Sequence, residues 1–189
     1  FTPLTEGLAK SLGARRGAEE LAKRLNQVYD VLIAEIHAYG GSVIGFSGDA
    51  VTCWFDDIDG NEAGRALTCG LALQDAIQLF DAIELPDGNV SGLALRVGIA
   101  SGIARRFFVG DPNIQLIDTL AGATIDRMAT AQTIGNIGDV MIDEATQAKL
   151  GDKVTVSSWE TTDVGRFGIA NVQSKTSLAS PNTSSQYVL

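Results

Sequence analysis

Apolar residues recur along this chain with two different periods, and the switches between them lay out its elements. Leu4 to Leu12 reads as a short helix after Pro3, separated by a Gly13-Ala14-Arg15-Arg16-Gly17 break from a longer one. Leu21, Leu25, Val28, Leu32 and Ile36 mark one face of that helix, from about Ala18 to Ala38, and Gly40-Gly41 stops it. The period then falls to two. In GGSVIGFSGDAVTCWF, residues 40–55, the spacing predicts two strands joined by a Gly48-Asp49 turn.

After the polar turn Asp56 to Gly60, Leu67, Leu71 and Ile77 mark a second long helix. Pro86-Asp87-Gly88 and Ser91-Gly92 punctuate a loop, and the apolar run Leu93 to Ala100 predicts a strand that Ile103 to Val109 continues as a second one past Ser101-Gly102. A loop with Gly110-Asp111-Pro112 leads to a helix at Ala123 to Thr133, a strand at Val140 to Ile142, a short helix at Glu144 to Leu150 and a strand at Val154 to Trp159. Ser, Thr and Asn enrich Ser174 to Gln186, so residues 1–173 are expected to form the domain and 174–189 a polar tail or linker. The order helix, strand, strand, helix, strand predicts an α+β sandwich of the ferredoxin-like, split βαβ type with one sheet face covered. That pattern needs a first strand before Phe1, and a start without Met is expected of a piece of a longer chain.

Composition narrows the setting. The 189 residues are 45% hydrophobic and 20% charged, enough for one domain with a core. A net charge of −9 leaves no basic stripe for a phosphate backbone, so no nucleic-acid partner is expected. Cys53 and Cys69 have no metal-ligand spacing and read as buried apolar residues of a reducing, cytoplasmic setting. No apolar run reaches the roughly 20 residues of a membrane span. The single histidine, His37, reads as a partly exposed residue near a helix end. Asp49 alone has two readings: turn chemistry, or a rigid carboxylate offered to a metal ion.

Four stretches carry a family resemblance: FTPLTE at the start, RRGAEELAKRLNQVYDVLIAEIHAYGGSVIGFSGDAVTCWF, LRVGIASGIARRFFVGD and GATIDRMATAQTIGNIGDVMID. Together, from Phe1 to about Trp159, they resemble the catalytic domain of class III adenylate and guanylate cyclases, in the variety of the C1-like domain of soluble, bicarbonate-sensitive adenylyl cyclases. The resemblance implies a domain that works in pairs, with ATP at the interface and two divalent metal ions, Mg or Mn, held by carboxylates. The cations offset the charge that develops as the ribose 3′ oxygen attacks the α-phosphate and pyrophosphate leaves. In that setting the metal reading of Asp49 prevails.

Carried over position by position, the resemblance is uneven. The other metal aspartate would stand three residues before Phe1. Phe1 and Thr2 match what remains of a phosphate cradle, or are simply a chain end. The adenine-reading lysine falls at Gly45, and its partner at Thr119, which could hydrogen-bond a base or be an ordinary strand threonine. The asparagine and arginine that steady the transition state fall at Asp126 and Thr130. Arg96 matches a position that reaches the β- or γ-phosphate, though an arginine entering a strand is otherwise a solvated or ion-paired edge residue. Arg105 and Arg106 face oppositely and are left as surface charges. Arg127 falls one place after Asp126 and is not the catalytic arginine, because the shift that would make it so spoils the match at GDVMID.

Metal ligand kept and Lys, Asn and Arg lost is the pattern of a metal-contributing half that needs a complementary cyclase domain. The rival readings are a catalytically inactive pseudo-cyclase regulatory domain and an unrelated ferredoxin-like binding module. The cationic positions of the family's small-anion site read Gly45 and Ala129, so bicarbonate finds no charged anchor there. Bicarbonate titration of the full protein's cyclase activity is expected to show no stimulation; stimulation abolished by mutations around Gly45 and Ala129 would overturn this.

Overall fold

The computed structural model describes residues 2–174 and 178–182. Helix α1 (Thr2–Leu12) buries Leu4 and Leu8, one turn apart, and a single residue, Gly13 at φ 79°, separates it from α2 (Ala14–Ala38). The break is shorter than the sequence predicts because Gly17 does not end a helix. It lies inside α2, where a Cβ would come within 2.9 Å of the Ala9 and Leu8 backbone, so glycine there lets α1 cross α2 closely. At the other end Gly40 takes φ 71°, donating its N–H to the His37 carbonyl while Gly41 donates to that of Ile36. These bonds satisfy the last carbonyls and turn the chain sharply into the next strand.

Strands β1 (Ser42–Ser47) and β2 (Ala50–Trp54) form the expected hairpin, Ser47 opposite Ala50 across the Gly48-Asp49 turn. Gly48 carries a positive φ of 62° and Asp49 does not, the pattern of a two-residue turn with glycine first. Helix α3 (Glu62–Ile77) follows, then two short strands, β3 (Ile83–Glu84) and β4 (Val90–Ser91), which pair antiparallel inside the predicted loop. Strand β5 (Val97–Ile99) is shorter than its apolar run. Next comes a second hairpin, β6 (Arg105–Asp111) and β7 (Gln115–Ala121), in full register from Arg105 opposite Ala121 to Asp111 opposite Gln115. Sequence reading placed a loop where β7 lies. Helix α4 (Ala123–Ile134), strand β8 (Val140–Asp143), helix α5 (Glu144–Leu150), and strands β9 (Thr155–Thr161) and β10 (Arg166–Asn171) complete the order.

The fold is α+β, as expected, with a four-stranded mixed sheet in the order β5-β8-β10-β9, parallel only between β5 and β8. Both faces of its β5-β8 half are covered, where the sequence suggested one. Val97, Ile99, Val140 and Ile142 pack toward Leu67 on α3, while Met141 packs with Ala131 of α4 and with Phe167. The alternation of β-strand side chains produces this division. Gly98 faces α4 so closely that a Cβ would stand 2.4 Å from the Gln132 nitrogen and 2.6 Å from the Met128 oxygen. A separate cluster joins Leu4 and Leu8 to Val28, Leu32, Ile83, Leu85 and Leu93.

The β1-β2 hairpin shares no ladder with the four-stranded sheet. It is held by side chains: Val43, Val51, Cys53 and Phe55 pack on Ile36, Tyr39 and Cys69. Within the stretch expected to be a tail, Leu178 is buried against the Ala63 and Leu67 cluster, and its carbonyl accepts a hydrogen bond from Asn61 at 2.9 Å. Among the described residues no helix is long and apolar enough to cross a membrane. Gly98→Ala is expected to push α4 off the sheet and lower stability by about 1–3 kcal/mol, read from urea unfolding; an unchanged midpoint would refute the close approach.

Candidate functional site

Asp49 stands exposed at the tip of the β1-β2 hairpin, and no hydrogen bond or ion pair from the described residues engages its carboxylate. A tight turn leaves a side chain at this position little freedom of placement. On the same hairpin Gly45 follows a register irregularity between Val43 and Gly45, and nothing lies within 4 Å of where its Cβ would be. The position thus has room for a long side chain and carries none. Among the described residues no group of three or more His, Cys, Asp or Glu side chains converges to hold a metal ion. A metal ion at Asp49 would therefore take a single carboxylate from the hairpin, a number that Mg²⁺ accepts when phosphates and water complete its shell.

Of the elements that carry the other predicted positions, β7 passes beside the hairpin. Phe1 lies outside the described residues, and Thr2 is exposed at the first position of α1. Thr119 sits in the middle of β7 opposite Phe107, and β7 passes beside β1. Asp126 is exposed in the first turn of α4, and Thr130 donates its hydroxyl to the Asp126 carbonyl at 2.9 Å, so that hydroxyl is spent on its own helix. Ala129 is exposed between them. Arg96 is exposed just before β5, with no ion pair among the described residues. Arg106 grips Asp118 with Nε 3.0 Å from both carboxylate oxygens, which holds the Asp118 carboxyl below its ordinary range, while Arg105 is exposed.

Arg127 has a different employment. Its Nε lies 2.8 Å from Oδ2 of Asp143, whose side chain is 1% exposed, and its Nη2 donates to the Ser101 carbonyl at 2.9 Å. Asp143 Oδ1 also accepts the Thr146 N–H at 2.8 Å, capping α5, and the Ser101 N–H at 3.3 Å. Sequence reasoning missed this cluster. The available signal was an Asp directly before a helix and directly after a buried strand, a position where a buried carboxylate must find N–H donors.

Cys53 and Cys69 are free thiols in the hairpin's cluster; burial pushes the Cys53 thiol up to about 11 and raises that of Cys69 further, so neither is a nucleophile at neutral pH. Two cavities, of about 140 Å³ beside the start of α3 and about 240 Å³ between α1, α2 and β3, are lined by none of the predicted positions. Thr2, Asp49, Arg96 and Asp126 are exposed, while Gly45, Thr119 and Thr130 are half-buried.

No family model matches the chain. It is 25% identical over 146 residues to adenylate cyclase type 10 of Rattus norvegicus, an overlap that covers 75% of this chain and only 9% of that relative. It is 28% identical over 106 residues to adenylate cyclase 1 of Rhizobium meliloti (strain 1021), covering 55% of this chain and 15% of the relative. In fold it is similar to the solved adenylyl cyclase CyaB from P. aeruginosa, with a TM-score of 0.72 over 90% of both chains at 18% identity. The guanylyl cyclase Cya2 superposes with a TM-score of 0.71 over 86% of both at 21% identity.

Replacing Arg127 with Met leaves a buried carboxylate short of its countercharge and is expected to cost about 3–5 kcal/mol in urea unfolding. Asp126→Asn, on the solvent side of the same helix, is expected to change stability by about 0.5 kcal/mol or less. Equal effects would mean that the Arg127 pair does not hold α4.

Proposed function

Because the chain is a class III nucleotidyl cyclase domain by fold and sequence likeness, we propose that it is the metal-contributing half of an adenylyl cyclase site completed by a complementary domain. The observation that carries this reading is a contrast among the predicted positions. An unengaged carboxylate stands at a hairpin tip, while the positions for reading the base and steadying the transition state hold Gly45, Asp126 and Thr130. Glycine has no group to offer, an exposed Asp126 would repel a polyphosphate, and the Thr130 hydroxyl is committed to the helix backbone.

In this reading Asp49 helps hold divalent cations, Mg or Mn, which supply charge compensation at the α-phosphate and the leaving pyrophosphate. This chain's own residues then do three things. Asp49 sets where the cations stand relative to the hairpin. Arg96, exposed and without an ion pair among the described residues, would meet a phosphate oxygen with a charge-assisted hydrogen bond. The backbone at Thr2 offers N–H groups at the first turn of a helix, where a phosphate is favoured. Reading the base and neutralising the pentavalent phosphorus fall to the partner domain, so the choice of adenine is not written in this chain. The adenylyl reading leans on the curated relatives, which are adenylate cyclases.

The chain alone, with ATP and either metal, is expected to make little or no cyclic AMP. Mixed with a cyclase domain that carries the complementary Lys, Asn and Arg, it is expected to become active, and Asp49→Asn should abolish that activity while leaving the melting temperature within a degree or two. An amide preserves the turn but loses the charge that holds a hard cation. Robust turnover by the chain alone, or full turnover by the Asp49→Asn mixture, would overturn the assignment. Silence of every mixture would favour an inactive regulatory domain.

A further inference from the structure

Asp49 sits on the least anchored part of its hairpin. From Gly45 to Ala50 the residues are Gly, Phe, Ser, Gly, Asp and Ala, so Phe46 is the sole large side chain available to fix the tip. The ladder is already irregular just below, between Val43 and Gly45. Packing on Ile36, Tyr39 and Cys69 involves Val43, Val51, Cys53 and Phe55 and omits Phe46. Phe46 itself is 53% exposed, which alone would leave it free to swing.

Besides its cross-strand neighbour Val51, it meets one aromatic partner among the described residues. Tyr29 on α2 lies edge-on to it, with ring centroids 5.2 Å apart and planes at 75°, the arrangement that aligns the positive edge of one ring with the negative face of the other. Tyr29 stands on a rigid platform, since its helix neighbours Val28 and Leu32 are both buried in the core with α1. The hydroxyl end of Tyr29 also lies within reach of the Asp49 charge: burial first, and the carboxylate second, raise the phenol above its ordinary range.

We infer that Tyr29 is a positioning residue for Asp49: its ring, fixed on α2, pins the hairpin tip through Phe46 and so sets where the carboxylate points. The functional part of this inference rests on the metal reading of Asp49; the tether itself does not. The ring carries the tether, so Tyr29→Phe keeps it and Tyr29→Ala removes it. Phe46→Ser removes the same contact from the exposed side, which guards against a Tyr29 variant that fails to fold.

The test uses the whole chain, followed by amide hydrogen exchange and by paramagnetic broadening of the amide signals of residues 47–51 on adding manganese chloride. Exchange at those amides should rise about three- to tenfold in Tyr29→Ala and in Phe46→Ser, and stay within about twofold of wild type in Tyr29→Phe. Manganese broadening should be lost in Asp49→Asn, weakened in Tyr29→Ala and restored in Tyr29→Phe. Unchanged exchange in both contact-removing variants overturns the tether, whatever manganese does. Broadening that survives Asp49→Asn overturns the metal reading while raised exchange still upholds the tether. Raised exchange with broadening unaltered in Tyr29→Ala overturns the positioning role.

Discussion

A carboxylate with no access to water must be met on every side, and Asp143 is the point from which much of this domain is organised. Its side chain takes a guanidinium from α4, an N–H from the first turn of α5 and another from the chain leaving β5. Four elements, β5, α4, β8 and α5, are thereby tied at the carboxyl end of two parallel strands. A buried ion pair of this kind is weak as a source of net stability but strict about geometry, because any rearrangement strands a charge. Gly98 adds a steric demand a few residues away by letting α4 lie against the sheet. Together they fix which way α4 presents Asp126 and Thr130.

The hairpin that carries Asp49 follows another logic. It has no ladder to the four-stranded sheet and depends on apolar packing against α2 and α3. Such contacts are non-directional, so orientation has to come from elsewhere. The close of α2 supplies some of it: Arg65 on α3 donates to the carbonyls of Tyr39 and Gly40 at 3.3 Å, clamping the segment from which β1 departs. Gly41 meets Phe55 so nearly that a Cβ would sit 2.6 Å from the ring. The root of the hairpin is set by these contacts and its tip by Phe46 and Tyr29.

Much of this was legible in the sequence where a local rule acts alone. The Gly48-Asp49 turn follows from the φ demands of a two-residue hairpin, and α2 and α4 from their apolar spacing. What was not legible depended on pairing. Strand β7 alternates poorly because its first residues are exposed on both faces, so only its registry with β6 makes it a strand; the Asp111 side chain accepting the Asn113 N–H at 2.9 Å was the turn signal that joined them. Strand β10 was likewise passed over, although Phe167 and Ala170 are core residues, because Gly165 and Gly168 interrupt the pattern. Gly17 was read as punctuation when its role is close approach. Arg127 could be denied a catalytic role by alignment of neighbouring residues, but its buried partner was invisible until β8 and α4 came together.

The same accounting of charges bears on how a site could be completed. The chain carries 14 Lys and Arg against 23 Asp and Glu, and several of these cations are committed to ion pairs. Arg127 belongs to Asp143, Arg106 to Asp118, and Lys149 to Glu62 and Asp57. Arg96 and Arg105 make no ion pair among the described residues, and Asp126 adds a charge of the wrong sign. A bound triphosphate would bring several negative charges to this surface, and a single exposed arginine offsets little of that in water. The remainder has to come from divalent cations and from a partner that supplies cationic side chains and shuts out solvent, where each interaction gains strength. On the proposed reading, Gly45 and Thr130 in place of cationic side chains and an unengaged Asp49 are parts of one arrangement: the chain would keep a group that attracts metal charge and leave the side-chain charge to another domain.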